Sequence, residues 1–187
     1  MANKKVLIAY GTRYGATTGT AEEIAKVLRE EGFEVKVVNL KEEKVKDISE
    51  YELVIIGSGM KMEMWTSKTK AFLKKFSSEL NKKKVAIFVS SGARALMEYK
   101  GENEEISRIT KKYLEDKAIK YYINPISMMM FGGIWDYNQM GRIYAKYLDA
   151  EKENLKPAGF KETKPGVYDS RNWDEIRKWA KNLASKI

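Results

Sequence analysis

Val6-Leu7-Ile8-Ala9-Tyr10 is an apolar run short enough to be a buried strand, and it ends in a loop of hydroxyls and glycines, Gly11-Thr12-Arg13-Tyr14-Gly15-Ala16-Thr17-Thr18-Gly19-Thr20. A 3.6-residue apolar period (Ala21, Ile24, Ala25, Leu28) starts just beyond it. The stretch therefore predicts a strand, a tight loop and a helix. Thr12, Thr17 and Thr18 offer hydroxyls there. Free backbone N–H groups at the helix N-terminus favour an anion, so the loop reads as a phosphate cradle.

Several phosphate binders are excluded by what the loop lacks. A P-loop needs Gly-Lys followed by Ser or Thr, and a dinucleotide fingerprint needs three glycines in fixed register with a later acidic residue. A receiver domain of the same sheet type needs aspartates where this chain has Tyr10 and Gly57. A loop of short hydroxyl side chains at the first strand suits a monophosphate.

Ile8, Tyr10, Thr12, Gly15, Thr17, Ala21 and Ile24 stand in the spacing of the flavodoxin signature, with Ala9 where that family prefers a larger apolar residue. The stretch resembles the flavin mononucleotide (FMN) phosphate loop of flavodoxins. The resemblance implies that Thr12, Arg13, Tyr14, Gly15, Ala16 and Thr17 hold the FMN phosphate. The alternative is a turn that merely caps the helix through Thr17 or Thr18.

At 187 residues the chain suits one domain, residues 1–187, able to bury roughly 70% of its unfolded surface. There is no cysteine and no histidine. That removes disulfides, thiolate chemistry, the usual zinc sites and any histidine acid–base mechanism. No catalytic side chain and no metal is expected, so the chemistry must come from a cofactor. Met1-Ala2-Asn3-Lys4-Lys5 runs straight into a strand without a signal-peptide pattern, and no apolar run approaches the ~18 residues of a membrane span, so a cytoplasmic protein is expected. Lys and Arg number 35 against 26 Asp and Glu, a net charge of +9. This is either a solvated Lys/Glu-rich surface or one suited to an acidic partner, an anionic substrate or a membrane.

Along the chain, 6–10, 53–56 and 85–89 are continuously apolar, as strands buried on both faces should be, whereas 33–38 alternates as an edge strand does. Helical patterns fill the gaps: Phe72, Leu73, Phe76 and Leu80, then Ile106, Ile109, Tyr113 and Leu114. A last helix is announced by Asn172 and Glu175 in capping-box spacing, with Trp173, Ile176, Trp179, Ala180 and Leu183 expected along one face. The predicted fold is a doubly wound α/β, five-stranded parallel sheet of order 2-1-3-4-5, flavodoxin-like, with its ligand at the carboxyl ends of the strands.

Two further loops fall at those ends. Gly57-Ser58-Gly59-Met60-Lys61-Met62-Glu63-Met64-Trp65 follows the third strand, and Ser90-Ser91-Gly92-Ala93-Arg94 follows the fourth. By the resemblance, Ser58, Gly59, Met60, Lys61, Met62 and Trp65 border the flavin ring, with Trp65 or the methionines covering one face; the alternative is that Met60, Met62 and Trp65 plug the top of the core. Ser90, Ser91, Gly92 and Ala93 bring small residues and backbone N–H groups to the ring's polar edge, and Arg94 either stabilises reduced flavin or is a surface charge. Residues 61–64 hold no glycine where many flavodoxins have one.

After a fifth strand expected around 121–128, the chain spends about forty residues (129–170) before its last helix, far more than the usual ~2–6. Met140, Ile143, Tyr144, Tyr147 and Leu148 predict an amphipathic helix within this insert. Its Gly132-Gly133-Ile134-Trp135-Asp136-Tyr137 segment, with Val167-Tyr168, resembles the menaquinone-dependent protoporphyrinogen oxidases of the flavodoxin superfamily. That resemblance implies FMN, a porphyrinogen as substrate and a quinone as acceptor; the alternative is that the methionines and Trp135 simply pack the insert onto the sheet. Three functions stand: an FMN electron carrier with a redox partner protein, an FMN enzyme oxidising a porphyrinogen, and a cofactor-free binding module. The insert could also touch the inner face of a membrane. Nucleic-acid binding rests on net charge alone and is not expected.

Overall fold

The computed structural model describes residues 4–187. Met1, Ala2 and Asn3, where the reading of the N-terminal start falls, lie outside the described residues. Five parallel strands form one sheet in the order β2-β1-β3-β4-β5: β1 (Lys5–Gly11), β2 (Glu34–Asn39), β3 (Leu53–Gly59), β4 (Lys84–Ser90) and β5 (Ser127–Phe131). The crossovers β1 to β2, β3 to β4 and β4 to β5 carry helix onto a sheet face, whereas β2 to β3 crosses through the irregular segment 40–52, so the helical alternation expected from the sequence is incomplete there.

The apolar runs are continuous because both faces are covered. Leu7, Val54, Ile56, Val85 and Ile87 point to one side, where Phe72, Leu73, Phe76 and Leu80 of α2 (Ser67–Leu80) meet them. On that side α3 (Ala93–Lys100) and α4 (Asn103–Thr110) run through a π-helical turn (Lys111–Glu115) into α5 (Asp116–Lys120). Val6, Ile8, Leu53, Ile55 and Phe88 point to the other side, against α1 (Ala16–Glu30) and the last helix. Phe88, Phe131 and Trp179 form an edge-on aromatic cluster there, with centroids 5.5 to 6.2 Å apart. The alternating segment is indeed an edge: β2 pairs only with β1 and leaves Glu34 and Lys36 exposed.

The fifth strand lies later than expected, at Ser127–Phe131 instead of around 121–128. Tyr121 caps α5 and Tyr122 takes a left-handed φ of 55°, so the chain is still leaving the helix where the strand was expected to begin. Met128, Met129 and Met130 are therefore strand residues.

The insert holds strands as well as helices. β6 (Ile134–Asp136), β7 (Lys161–Lys164) and β8 (Val167–Asp169) form an antiparallel sheet of order β6-β8-β7, flanked by α6 (Arg142–Asp149) and α7 (Lys152–Leu155). It has its own small core of Leu96, Trp135, Met140, Leu148, Leu155 and Phe160. The chain then closes with α8 (Trp173–Ala184), whose cap Asn172 accepts from the N–H groups of Asp174 and Glu175. The Glu175 side chain does not complete the box: it turns to Arg94.

Candidate functional site

The carboxyl ends of β1, β3 and β4 open into a cleft of about 1330 Å³, whose far wall is the insert. Its floor begins at the β1–α1 turn. Gly15 has φ of 85°, a left-handed conformation that glycine adopts without strain, and its N–H donates to Thr12 Oγ1 at 3.1 Å. No side chain caps α1 and its first turn has no acidic residue, so the N-terminal N–H groups and the dipole remain available to an anion. Thr17 is fully buried and its hydroxyl has no partner among the described residues; it lines the cleft with Thr12, Arg13, Tyr14 and Ala16. Thr18 does not line it. A Cβ on Gly59 would lie 3.1 Å from Thr17 Oγ1, so the β3 end closes on the same spot.

The β3–α2 loop is a tight hairpin. Lys61 and Met64 pair across it, and Met62 and Glu63 both take left-handed backbone, φ 48° and 58°, which costs side-chain-bearing residues roughly 1–3 kcal/mol each. Glu63 offsets this by accepting from Arg108 at 2.5 Å and from Lys112, and these cations hold its carboxyl down at about 2. Met60, Lys61 and Met62 reach the cleft, with Lys61 Nζ 5.7 Å from the Tyr14 ring and 5.1 Å from the Tyr144 ring.

Trp65 does not. Its indole is 1% exposed, donates to the Tyr113 carbonyl at 2.9 Å and packs in the core, so it covers nothing in the cleft. Ser58 is also internal: its hydroxyl accepts from Thr66 N–H at the start of α2.

At the β4 end, Ser90, Ser91, Gly92 and Ala93 line the cleft, and the buried Ser90 hydroxyl has no partner. Arg94 faces away. Its guanidinium bonds the Met130 carbonyl at 2.8 Å, Glu98 at 2.7 Å and Glu175 at 3.2 Å, tying α3 to β5 and α8. The insert packs directly on this loop: a Cβ on Gly133 would lie 2.8 Å from the Gly92 nitrogen.

Sequence reasoning placed no insert residue in the site, yet Trp135, Tyr144, Ile143 and Tyr147 form the cleft's outer wall. The apolar stripe on α6 was visible, but not the face it turns toward the β1–α1 turn. Burial raises the Tyr144 hydroxyl above its ordinary range. Tyr14, whose hydroxyl is buried without a partner, joins the insert's core.

A doubly wound parallel sheet of order β2-β1-β3-β4-β5, with a tight turn after β1 and a cleft at the switch point of the strand order, defines a flavodoxin-like α/β protein. The family model described as a flavodoxin domain matches residues 7–149, and the chain belongs to that family. A flavodoxin from the domain Archaea is similar over 97% of both chains, with TM-score 0.56 and 13% identity. A Streptococcus pneumoniae flavodoxin is similar over 98% of this chain and 99% of its own, with TM-score 0.54 and 16% identity. The rubredoxin oxygen:oxidoreductase of Desulfovibrio gigas is similar over 82% of this chain at TM-score 0.50 and 18% identity, but the match spans only 35% of that larger protein. These likenesses establish the fold.

Proposed function

We propose that the cleft binds FMN and that the protein transfers electrons through the bound flavin. The observation that carries this reading is the unpartnered, fully buried Thr17 hydroxyl beside an uncapped helix N-terminus. A buried hydroxyl without a partner costs about 1–3 kcal/mol, which a bound phosphate would recover. The unpartnered Ser90 hydroxyl supports a second polar contact further along the ligand. When bound, FMN supplies one- and two-electron chemistry that no side chain here provides. Thr12, Thr17 and the 13–16 backbone would hold the phosphate. Met60, Trp135 and Tyr144 offer flat or polarizable surfaces to a ring, and Ser90, Ser91 and Gly92 offer it backbone donors. Lys61 puts a positive charge into the cleft wall and favours whichever bound state is more negative.

A second reading makes the protein an enzyme that oxidises a porphyrinogen and passes the electrons to a quinone. The cleft's volume favours it, since about 1330 Å³ exceeds the ~300–1,000 Å³ of a pocket for one drug-sized ligand. The test is an absorption spectrum after purification in FMN, then anaerobic mixing with a porphyrinogen and a quinone. Stoichiometric flavin that bleaches with the first and recovers with the second supports the enzyme. Flavin inert to both leaves a carrier serving a redox partner protein. A colourless protein refutes FMN binding and leaves a cofactor-free module.

A further inference from the structure

The cleft mouth has two lips, and both end in apolar side chains turned to solvent. On the β3–α2 hairpin Met62, which lines the cleft, is 64% exposed, and Met64, two residues on and outside the lining, is 52% exposed. On α6 they are Ile143, 90% exposed, and Tyr147, 76% exposed, one helical turn apart. Arg142 and Lys146 run beside them at the same spacing, and Arg13 stands at the cleft edge between the lips.

The charge of this rim is predominantly positive. Of the acidic groups around it, Glu63 pairs with Arg108 and Lys112, Glu105 with Arg108, Asp149 with Lys152 and Glu151 with Lys100, and on the cleft lining Glu102 alone is in no ion pair among the described residues. Arg13, Arg142 and Lys146 make no ion pair among the described residues. A surface that meets this rim must be anionic, and the chain's net charge of +9 adds to the attraction.

We infer that this rim docks on an anionic lipid bilayer, with the two lips seated at the headgroup boundary and the cleft opening toward the acyl phase. Two observations favour a bilayer over an acidic protein. The apolar tips stand on separate elements with the open cleft between them; a fluid surface fills that geometry, whereas a protein interface centres on one contiguous, well-packed core. The cleft wall is also apolar through Met140 and Leu148 out to Ile143 and Tyr147, so the apolar surface continues from the tips inward. Docking in this way presents the cleft to lipid-dissolved molecules, which rests on the reading of the cleft as the redox site. The docking itself does not.

The experiment is co-sedimentation with vesicles of pure phosphatidylcholine and of equal parts phosphatidylcholine and phosphatidylglycerol. The expected result is binding to the anionic vesicles only, lost in high salt. The Ile143→Glu, Tyr147→Glu double variant should bind about tenfold or more weakly. Arg142→Gln and Lys146→Gln should each lower binding roughly fivefold. The control is Ile119→Glu, on α5 at the opposite end of the sheet and 71% exposed, which should bind as the parent does. Circular dichroism matching the parent would show that each variant is folded. Absence of binding, equal binding to both vesicles, or equal loss in the Ile119 variant overturns the inference. The first of these leaves the rim to an acidic protein. Vesicle binding is read without flavin, so a colourless protein that still sediments would refute FMN binding and leave the docking standing.

Discussion

The five-stranded sheet and segment 132–170 bury themselves in opposite ways. Every residue of β3 is buried, and two layers of helix interdigitate with alternate strand residues, so the sheet's core is continuous and long-range. The segment between β5 and α8 gives five residues to a small core that Leu96 of α3 completes, has one fully exposed strand, β7, and carries ion pairs at its margins, including Lys100–Glu151. Yet it supplies the cleft's outer wall. The difference separates two jobs: the sheet fixes where a ligand sits, and the insert decides how much of it is enclosed. Local opening should therefore begin in the insert.

The largest test of that contrast is Phe88→Ala. The ring is fully buried between the sheet and α8, and its loss should cost ~3–5 kcal/mol and lower the urea midpoint of the whole protein. Leu155→Ala, equally buried but in the insert, should instead speed amide exchange across 132–170 while leaving the sheet's exchange near that of the parent. Matching losses in global midpoint would break the comparison.

Gly133→Ala probes the seam between the two regions. Its new Cβ meets backbone on both sides of the Ser91–Gly92 peptide, so the seam must shift, at about 1–3 kcal/mol. Calorimetry reads the cost. Ligand affinity should fall with it, because residues 91 and 92 line the cleft.

Lys100→Ala should cost less, about 0.2–1 kcal/mol, confined to the insert and reproduced in the parent by high salt. Amide exchange at 151–155 would report it.

The smallest effect at neutral pH belongs to Glu63. Its carboxyl is held down at about 2 against an ordinary 4.5, so the tether to Arg108 and Lys112 is fully present above the ordinary value and lost as pH falls through about 2. Exchange at residues 61–64 should quicken over that window, and Glu63→Gln should remove the pH dependence.

The same contrast governs what could be read from sequence. The strands were legible because burial on both faces forces unbroken apolar runs, and the β1–α1 turn because its hydroxyls and glycines are local. Trp65 was misplaced because an aromatic beside a ligand loop and one in the core look alike; its bond to the Tyr113 carbonyl, 48 residues away, decides the matter. Arg94 turned away for a similar reason, since Met130 and Glu175 are distant in sequence. One signal was present and missed: Pro165-Gly166, with φ of 75° at the glycine, turns the β7–β8 hairpin. Lys161–Lys164 itself carries no apolar alternation from which a strand could be inferred.

The most direct measurement is equilibrium binding of FMN and of riboflavin, which lacks the phosphate, to the parent and to Thr17→Val. The account predicts stoichiometric FMN, held roughly tenfold or more tightly than riboflavin, with Thr17→Val erasing most of that difference and leaving riboflavin binding nearly unchanged. Equal affinity for the two ligands in the parent, or a Thr17→Val variant that keeps the full preference for FMN, would contradict it.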